Sequence, residues 1–88
     1  MKVNKLIWDD WNKNHIRKHG VGIVDVEVAC WQKNKAKKSF RERLILTGKT
    51  LGGKKIKIVL SPEDKEGKRY EKGEYYVITA YFEEVNCE

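Results

Sequence analysis

Trp8-Asp9-Asp10-Trp11-Asn12-Lys13-Asn14-His15-Ile16-Arg17-Lys18-His19-Gly20-Val21 is the stretch on which the fold turns. It reads as one short helix with both ends specified. Asp9 or Asp10 stands where an N-cap belongs, and its carboxylate can accept from the open N–H groups of the first turn. Trp11, His15 and His19 recur at helical spacing, with Asn12 and Ile16 beside them. Arg17, Lys18 and His19 crowd the last turn, where positive charge suits the helix dipole. Gly20 is a natural left-handed stop, and Val21 supplies the apolar contact that follows such a stop.

The same run carries a resemblance. Trp-Asp-x-Trp-Asn-x-x-His-Ile-x-x-His-Gly-Val resembles the opening of the BrnT-type toxins, which belong to the RelE-like ribonucleases of toxin–antitoxin pairs. Arg43-Leu44-Ile45-Leu46-Thr47-Gly48 resembles that family's Arg-apolar-apolar-apolar-x-Gly strand. Tyr75-Tyr76-Val77-Ile78-Thr79-Ala80-Tyr81 resembles its final strand. The three matches fall in family order between Trp8 and Tyr81. The resemblance implies an α+β fold, with two N-terminal helices packed on one face of a small antiparallel sheet. It also implies a metal-independent endoribonuclease, in which a ribose 2′-OH attacks the adjacent phosphate.

Eighty-eight residues suit a single domain, 1–88. Such a chain buries roughly 60–65% of its unfolded surface, so the core is small. No apolar run approaches the ~20 residues of a membrane span, and the opening Met1-Lys2-Val3-Asn4-Lys5 is no secretory signal. A cytoplasmic protein is expected. Cys30 and Cys87 lie far apart without metal-ligand spacing, and reduced thiols are expected, although spacing alone leaves a disulfide open.

The net charge of +6 is unevenly spread. Residues 1–32 hold five Lys/Arg and four acids, residues 33–57 ten and one, and residues 58–88 four and eight. The middle third is a concentrated positive field. It suits nucleic acid or an acidic protein partner, or else it is a solvated lysine-rich surface.

Several elements follow in order. Lys5 to Trp8 reads as a short strand or an extended lead-in. In Gly22 to Trp31, Val24, Val26 and Val28 alternate like a strand, while Val24, Val28 and Trp31 also fit a helix face at i, i+4, i+7. β-Branched content favours the strand. The resemblance favours a helix, and a helix is expected. Lys33 to Ser39 reads as a basic loop that is either a phosphate-tracking segment or a solvated connector. Phe40 to Thr47 and Lys55 to Leu60 read as strands joined by a turn at Gly52-Gly53. Ser61 to Glu74 reads as a long mobile connection. Tyr75 to Phe82 is the last strand, with Tyr76, Ile78, Ala80 and Phe82 expected on one face and Tyr75, Val77, Thr79 and Tyr81 on the other. A single bulge would exchange these faces.

Under this alternation the helices cover Leu44, Leu46, Ile56, Ile58, Ile78 and Ala80. The uncovered face carries Arg41, Arg43, Lys55, Lys57, Thr79 and Tyr81. Cleavage by 2′-OH attack needs a base, an acid and cations around the phosphate. The resemblance points to Arg43 for phosphate stabilisation, a role that suits a guanidinium. Lys57 and Arg41 share its expected face. The family's last strand commonly ends Thr/Ser-Ala-Arg, and here the arginine's place is held by Tyr81. A tyrosine cannot supply that charge. It can move a proton, stack on a base, or simply pack on its neighbours.

Candidate catalytic residues are thus Arg43, Tyr81, Lys57 and His15, with Arg41, Lys55, Lys37 and Lys38 as candidate RNA contacts. His15 and His19 stand at zinc-helix spacing, but no glutamate follows the first histidine and no third ligand is evident, so no metal is expected. His19 is expected to close the helix end, and Trp8 and Trp11 to anchor the core. No cofactor is expected. The resemblance implies RNA as substrate, a BrnA-like antitoxin as partner, and promoter DNA reached only through that antitoxin. A non-catalytic module binding nucleic acid or protein is the alternative.

Overall fold

The computed structural model describes residues 3–32, 34–64 and 66–83. Strand β1 (Lys5–Ile7) leads into helix α1 (Asp10–Lys18), and helix α2 (Ile23–Trp31) follows. Strands β2 (Lys35–Lys38), β3 (Leu44–Lys49), β4 (Lys55–Ser61) and β5 (Glu74–Phe82) complete the chain. One five-stranded sheet results, in the order β1-β5-β4-β3-β2. Strands β2 to β5 pair antiparallel, whereas β1 runs parallel to β5. The fold is α+β, but the sheet is mixed and not the small antiparallel one expected.

Helix α1 begins as its sequence specifies. The Asp9 carboxylate accepts from the Asn12 N–H at 2.9 Å, and the Asn12 side chain accepts from the Asp9 N–H at 2.8 Å. Asn12 also donates to the Ile7 carbonyl at 2.9 Å, which ties the helix start to β1. The residue is fully buried, and these bonds satisfy it there. Asn12→Ala leaves the Asp9 N–H and the Ile7 carbonyl without these partners. It is expected to cost about 2 kcal/mol in urea unfolding.

The helix ends in a Schellman turn. The Val21 N–H bonds the Ile16 carbonyl at 3.1 Å, and the Gly20 N–H bonds that of Arg17 at 2.9 Å. Gly20 takes φ +75, which its missing Cβ permits. Helix α2 settles the ambiguity of residues 23–31. With Gly22 as N-cap there is no capping side chain, but the Asp25 carboxylate accepts the Gly22 N–H at 3.0 Å.

The core lies between the helices and one sheet face. Ile16, Val21, Val26, Ala29 and Cys30 meet Leu44, Leu46, Ile56, Ile58, Leu60, Val77 and Ala80. Two corrections concern β5 and β2. In β5 the register shifts: Val59 pairs with Thr79, but Leu60 pairs with Val77, leaving Ile78 as the extra residue of a bulge. Val77 is therefore fully buried, and Ile78 is only half-buried. Residues 35–38, expected as loop, form the edge strand β2, all exposed; Lys33 lies outside the described residues. The strand expected from Phe40 begins only at Leu44, because Phe40–Glu42 is a 3-10 turn with Arg41 and Glu42 at φ 59.

The connection from Ser61 to Glu74 is held by bonds more than the expected mobile loop implies. Asp64 accepts from the N–H groups of Glu66 and Lys68 at 2.9 Å each, and Glu63 bridges Arg69.

Cys30 is buried, and burial pushes its thiol from the ordinary 9.0 up to about 12, with the Glu27 charge adding to the rise. Cys87 lies outside the described residues. Tyr76 donates to both carboxylate oxygens of Asp9 at 2.9 Å. Burial, this bond and the Asp9 charge raise its hydroxyl above the ordinary tyrosine range. Both groups hold their proton to higher pH folded than unfolded. Their stabilisation is present in full below the unfolded values and is lost as pH rises. Thermal melts are expected to fall from about pH 9 upward, and Cys30→Ala with Tyr76→Phe to flatten that fall.

Candidate nucleic-acid interface

Helix α1 packs against β5, whose residues 77–82 lie beyond the reach of the short β1. One side of the helix is turned outward along this margin. Trp11 and His15 stack, with ring centroids 4.8 Å apart and planes 7° from parallel. His15 meets His19 edge-on at 5.3 Å, and His19 lies 6.5 Å from the ring of Tyr81. The spacing i, i+4, i+8 builds the first three members, and the Schellman stop ends the helix where His19 faces the sheet.

From Tyr81 the row continues across the sheet. Lys57 is its partner on β4, Thr47 is the partner of Lys57 on β3, and Lys35 is the partner of Thr47 on β2. Directly paired residues share a face. Their strand neighbours Leu46, Ile56, Ile58 and Ala80 are buried, so this row stands on the face away from the core. A band of Trp11, His15, His19, Tyr81, Lys57, Thr47 and Lys35 thus runs down the helix and over the open face. Trp11 is 48% exposed and Tyr81 39%. The core role expected of Trp11 is corrected, while Trp8 does pack against the core. His19 is the C-cap of α1, as expected, and its exposed ring also stands between those of His15 and Tyr81.

The expected site residues divide into groups. Tyr81, Lys57 and His15 belong to the band. Lys57 also lies 3.3 Å from the carboxylate of Glu83, which offsets its charge. Arg43 is half-buried just before β3, and alternation from Ile45 and Thr47 puts it at the far end of the open face. Four residues of strand, roughly 13 Å, separate it from the row through Thr47. Arg43 and Tyr81 therefore do not adjoin on this face. Lys37 pairs with Ile45 and so joins the open face.

Two placements need correction. Arg41 is not on a strand face; it sits in the left-handed turn with its guanidinium 5.6 Å from the Phe40 ring centre. Lys38 pairs with Leu44 and belongs to the helix side of β2. Lys55 keeps its expected place on the open face, two residues from Lys57, and lines a hollow of about 600 Å³ at the sheet end, with Lys35, Lys49, Thr47 and Glu83 among its neighbours.

Sequence reading missed His19, Thr47 and Lys35 as members of one band. The His-x-x-x-His spacing was visible, but only the packing of α1 on β5 brings it to Tyr81. Among the described residues no group of three or more His, Cys, Asp or Glu is placed to hold a metal ion. A second hollow, about 240 Å³, lies at the start of α1 between Asp9, Asp64, Glu66, Tyr70 and Tyr76. Burial and the charges of Asp64 and Asp9 raise the Tyr70 hydroxyl as well. This end of the molecule is acidic, opposite in sign to the lysine side.

No family model, curated protein or solved structure matches this chain. Among the described residues no helix is long and apolar enough to cross a membrane.

Proposed function

We propose that this chain is an endoribonuclease of the RelE-like type that cleaves RNA with its own side chains. The observation that carries the reading is His19, set between His15 and Tyr81, with Lys57 directly across from Tyr81 on an uncovered face. An imidazole accepts the proton of a ribose 2′-OH. The freed oxygen attacks the adjacent phosphorus, and the 5′-oxygen leaves with a proton from the second imidazole or the Tyr81 hydroxyl. The products are a 2′,3′-cyclic phosphate and a 5′-hydroxyl. Lys57 stabilises charge on the phosphoryl oxygens, and Arg43 and Lys37 hold the neighbouring backbone.

The sequence resemblance to BrnT-type toxins supports a further layer. In that reading the chain is the toxin of a cytoplasmic toxin–antitoxin pair, restrained by a BrnA-like antitoxin that alone reads promoter DNA. The tie between Lys57 and Glu83, and tyrosine in place of the family's strand arginine, favour the alternative of a binding module on the same face.

A 5′-labelled single-stranded RNA incubated with pure protein in EDTA decides between them. Cleavage to cyclic-phosphate ends, weakened by Arg43→Ala and by Tyr81→Phe, is the expected result. RNA binding without cleavage by folded protein, with and without ribosomes, establishes the binding module.

A further inference from the structure

Strand β2 is the outer strand of the sheet, and its backbone direction can be derived. The Ser39 N–H donates to the Arg43 carbonyl at 2.7 Å. The β2–β3 register, Lys35↔Thr47 through Lys38↔Leu44, extends to Ser39 opposite Arg43. Hydrogen-bonded and non-hydrogen-bonded pairs alternate in an antiparallel ladder. Lys35, Lys37 and Ser39 therefore turn their backbone groups inward to β3. Ala36 and Lys38 turn their N–H and C=O outward, away from the sheet. All four strand residues are exposed. This is a short template for one more strand.

Charge selects the occupant. Three of the four residues are lysine, and Lys49 and Lys55 line the adjoining hollow, where Glu83 is the opposing charge. A second copy of the same edge would set these lysines against themselves, which the charge disfavours. An acidic chain is attracted. The lysines do not form one phosphate track, because Lys35 and Lys37 lie on the open face while Lys38 lies on the helix side. An extended peptide with acidic side chains on both of its faces meets all three. Phe40, 77% exposed just past the strand, adds an apolar contact at its end.

We infer that β2 is a docking edge for an extended acidic segment of a partner protein, which adds to the sheet through the outward backbone groups of Ala36 and Lys38. This inference does not depend on RNA cleavage.

The probe is an acetylated synthetic heptapeptide with paired glutamates, Thr-Glu-Glu-Val-Glu-Glu-Thr, so that both faces of the extended chain are acidic; it is titrated into the ¹⁵N-labelled full chain without RNA. Saturable shifts and slowed exchange at the Ala36 and Lys38 amides are expected. Ala36→Pro removes an outward N–H but no bond to β3, and edge strands tolerate it. It is expected to weaken the peptide by about tenfold or more, while Ala36→Ser binds as wild type. Shifts of the buried Leu46 and Ile58 amides report whether the proline variant keeps its sheet. Should it not, the pair Lys37→Glu and Lys38→Glu retains every N–H, and it is expected to reject the acidic peptide and accept its lysine counterpart. Absence of saturable shifts at β2 overturns the inference. So does peptide binding that survives both the proline and the charge-reversed variants. A single-stranded RNA that shifts β2 where the peptide does not would assign the lysines to nucleic acid instead.

Discussion

His19→Ala is expected to lower the proposed RNA cleavage by about 10²–10⁴-fold, the usual contribution of a positioned acid or base. The fold should scarcely notice. The end of α1 is made by backbone bonds from His19, Gly20 and Val21 to Ile16 and Arg17, and none of them uses the imidazole. The ring itself is exposed and lies beside the rings of His15 and Tyr81. Single-turnover cleavage beside a thermal melt checks both halves of the statement. Unchanged cleavage with an unchanged melt removes His19 from the chemistry and leaves the choice to His15 and Tyr81. A parallel His15→Ala variant tests whether the two imidazoles act together. If they are the acid and base of one reaction, the double variant should lose little more than either single one.

Gly48→Val carries the largest expected cost in stability, about 3 kcal/mol. Gly48 is buried in β3 where α2 crosses it. A Cβ there would stand 3.0 Å from the Ala29 carbonyl oxygen and 3.1 Å from its Cβ. The oxygen belongs to helix backbone, so relief requires α2 to lift from the sheet. That movement would open the contacts of Val26, Ala29 and Cys30 with the core. Gly48→Ala presses on the same atoms with less bulk and should cost less. For a domain of this size, 3 kcal/mol lowers the melting midpoint by roughly 12–24 °C. Urea unfolding of the three proteins checks the order Gly, Ala, Val; a valine variant as stable as the parent would mean that α2 does not approach so closely. The same contact gives a physical reason for a glycine at the end of the Arg43-to-Gly48 strand motif.

How much was legible depended on the range of the interactions. Helix α1 could be read residue by residue, because Asp9, Asn12, Gly20 and Val21 bond within five residues of themselves. The β3–β4 hairpin was equally local: the Thr50 N–H bonds the Lys54 carbonyl at 3.0 Å, and Gly53 takes φ +82. Strand β2 was not legible, since Lys-Ala-Lys-Lys has neither alternation nor β-branched content. It is a strand because β3 offers it an edge. Residues 23–31 form the expected helix but with a different face inward: Val24 and Trp31 are exposed, and burial of Val26, Ala29 and Cys30 overrides the strand-like composition.

The candidate site followed the same division. Tyr81 and Lys57 were picked on sequence, and they do stand opposite each other. Arg41 was misplaced because two consecutive left-handed residues break the strand before Arg43, and nothing in Phe-Arg-Glu announces that turn.

The sequence by itself determined the capped helix, the hairpin, the alternation of β3 and β4, and the concentration of positive charge between residues 33 and 57. Each rests on near neighbours or on simple composition. Tertiary structure alone decided the parallel seat of β1, the bulge at Ile78 that turns Val77 inward, the edge position of β2, and the meeting of His19 with Tyr81. The seat of β1 and the meeting of His19 with Tyr81 depend on partners some 60 to 70 residues away, the bulge on β4 partners about 20 residues away, and the edge on what is left open once the core has closed. Pairings of that range are set by the burial of the whole sheet face, which no local window of sequence contains.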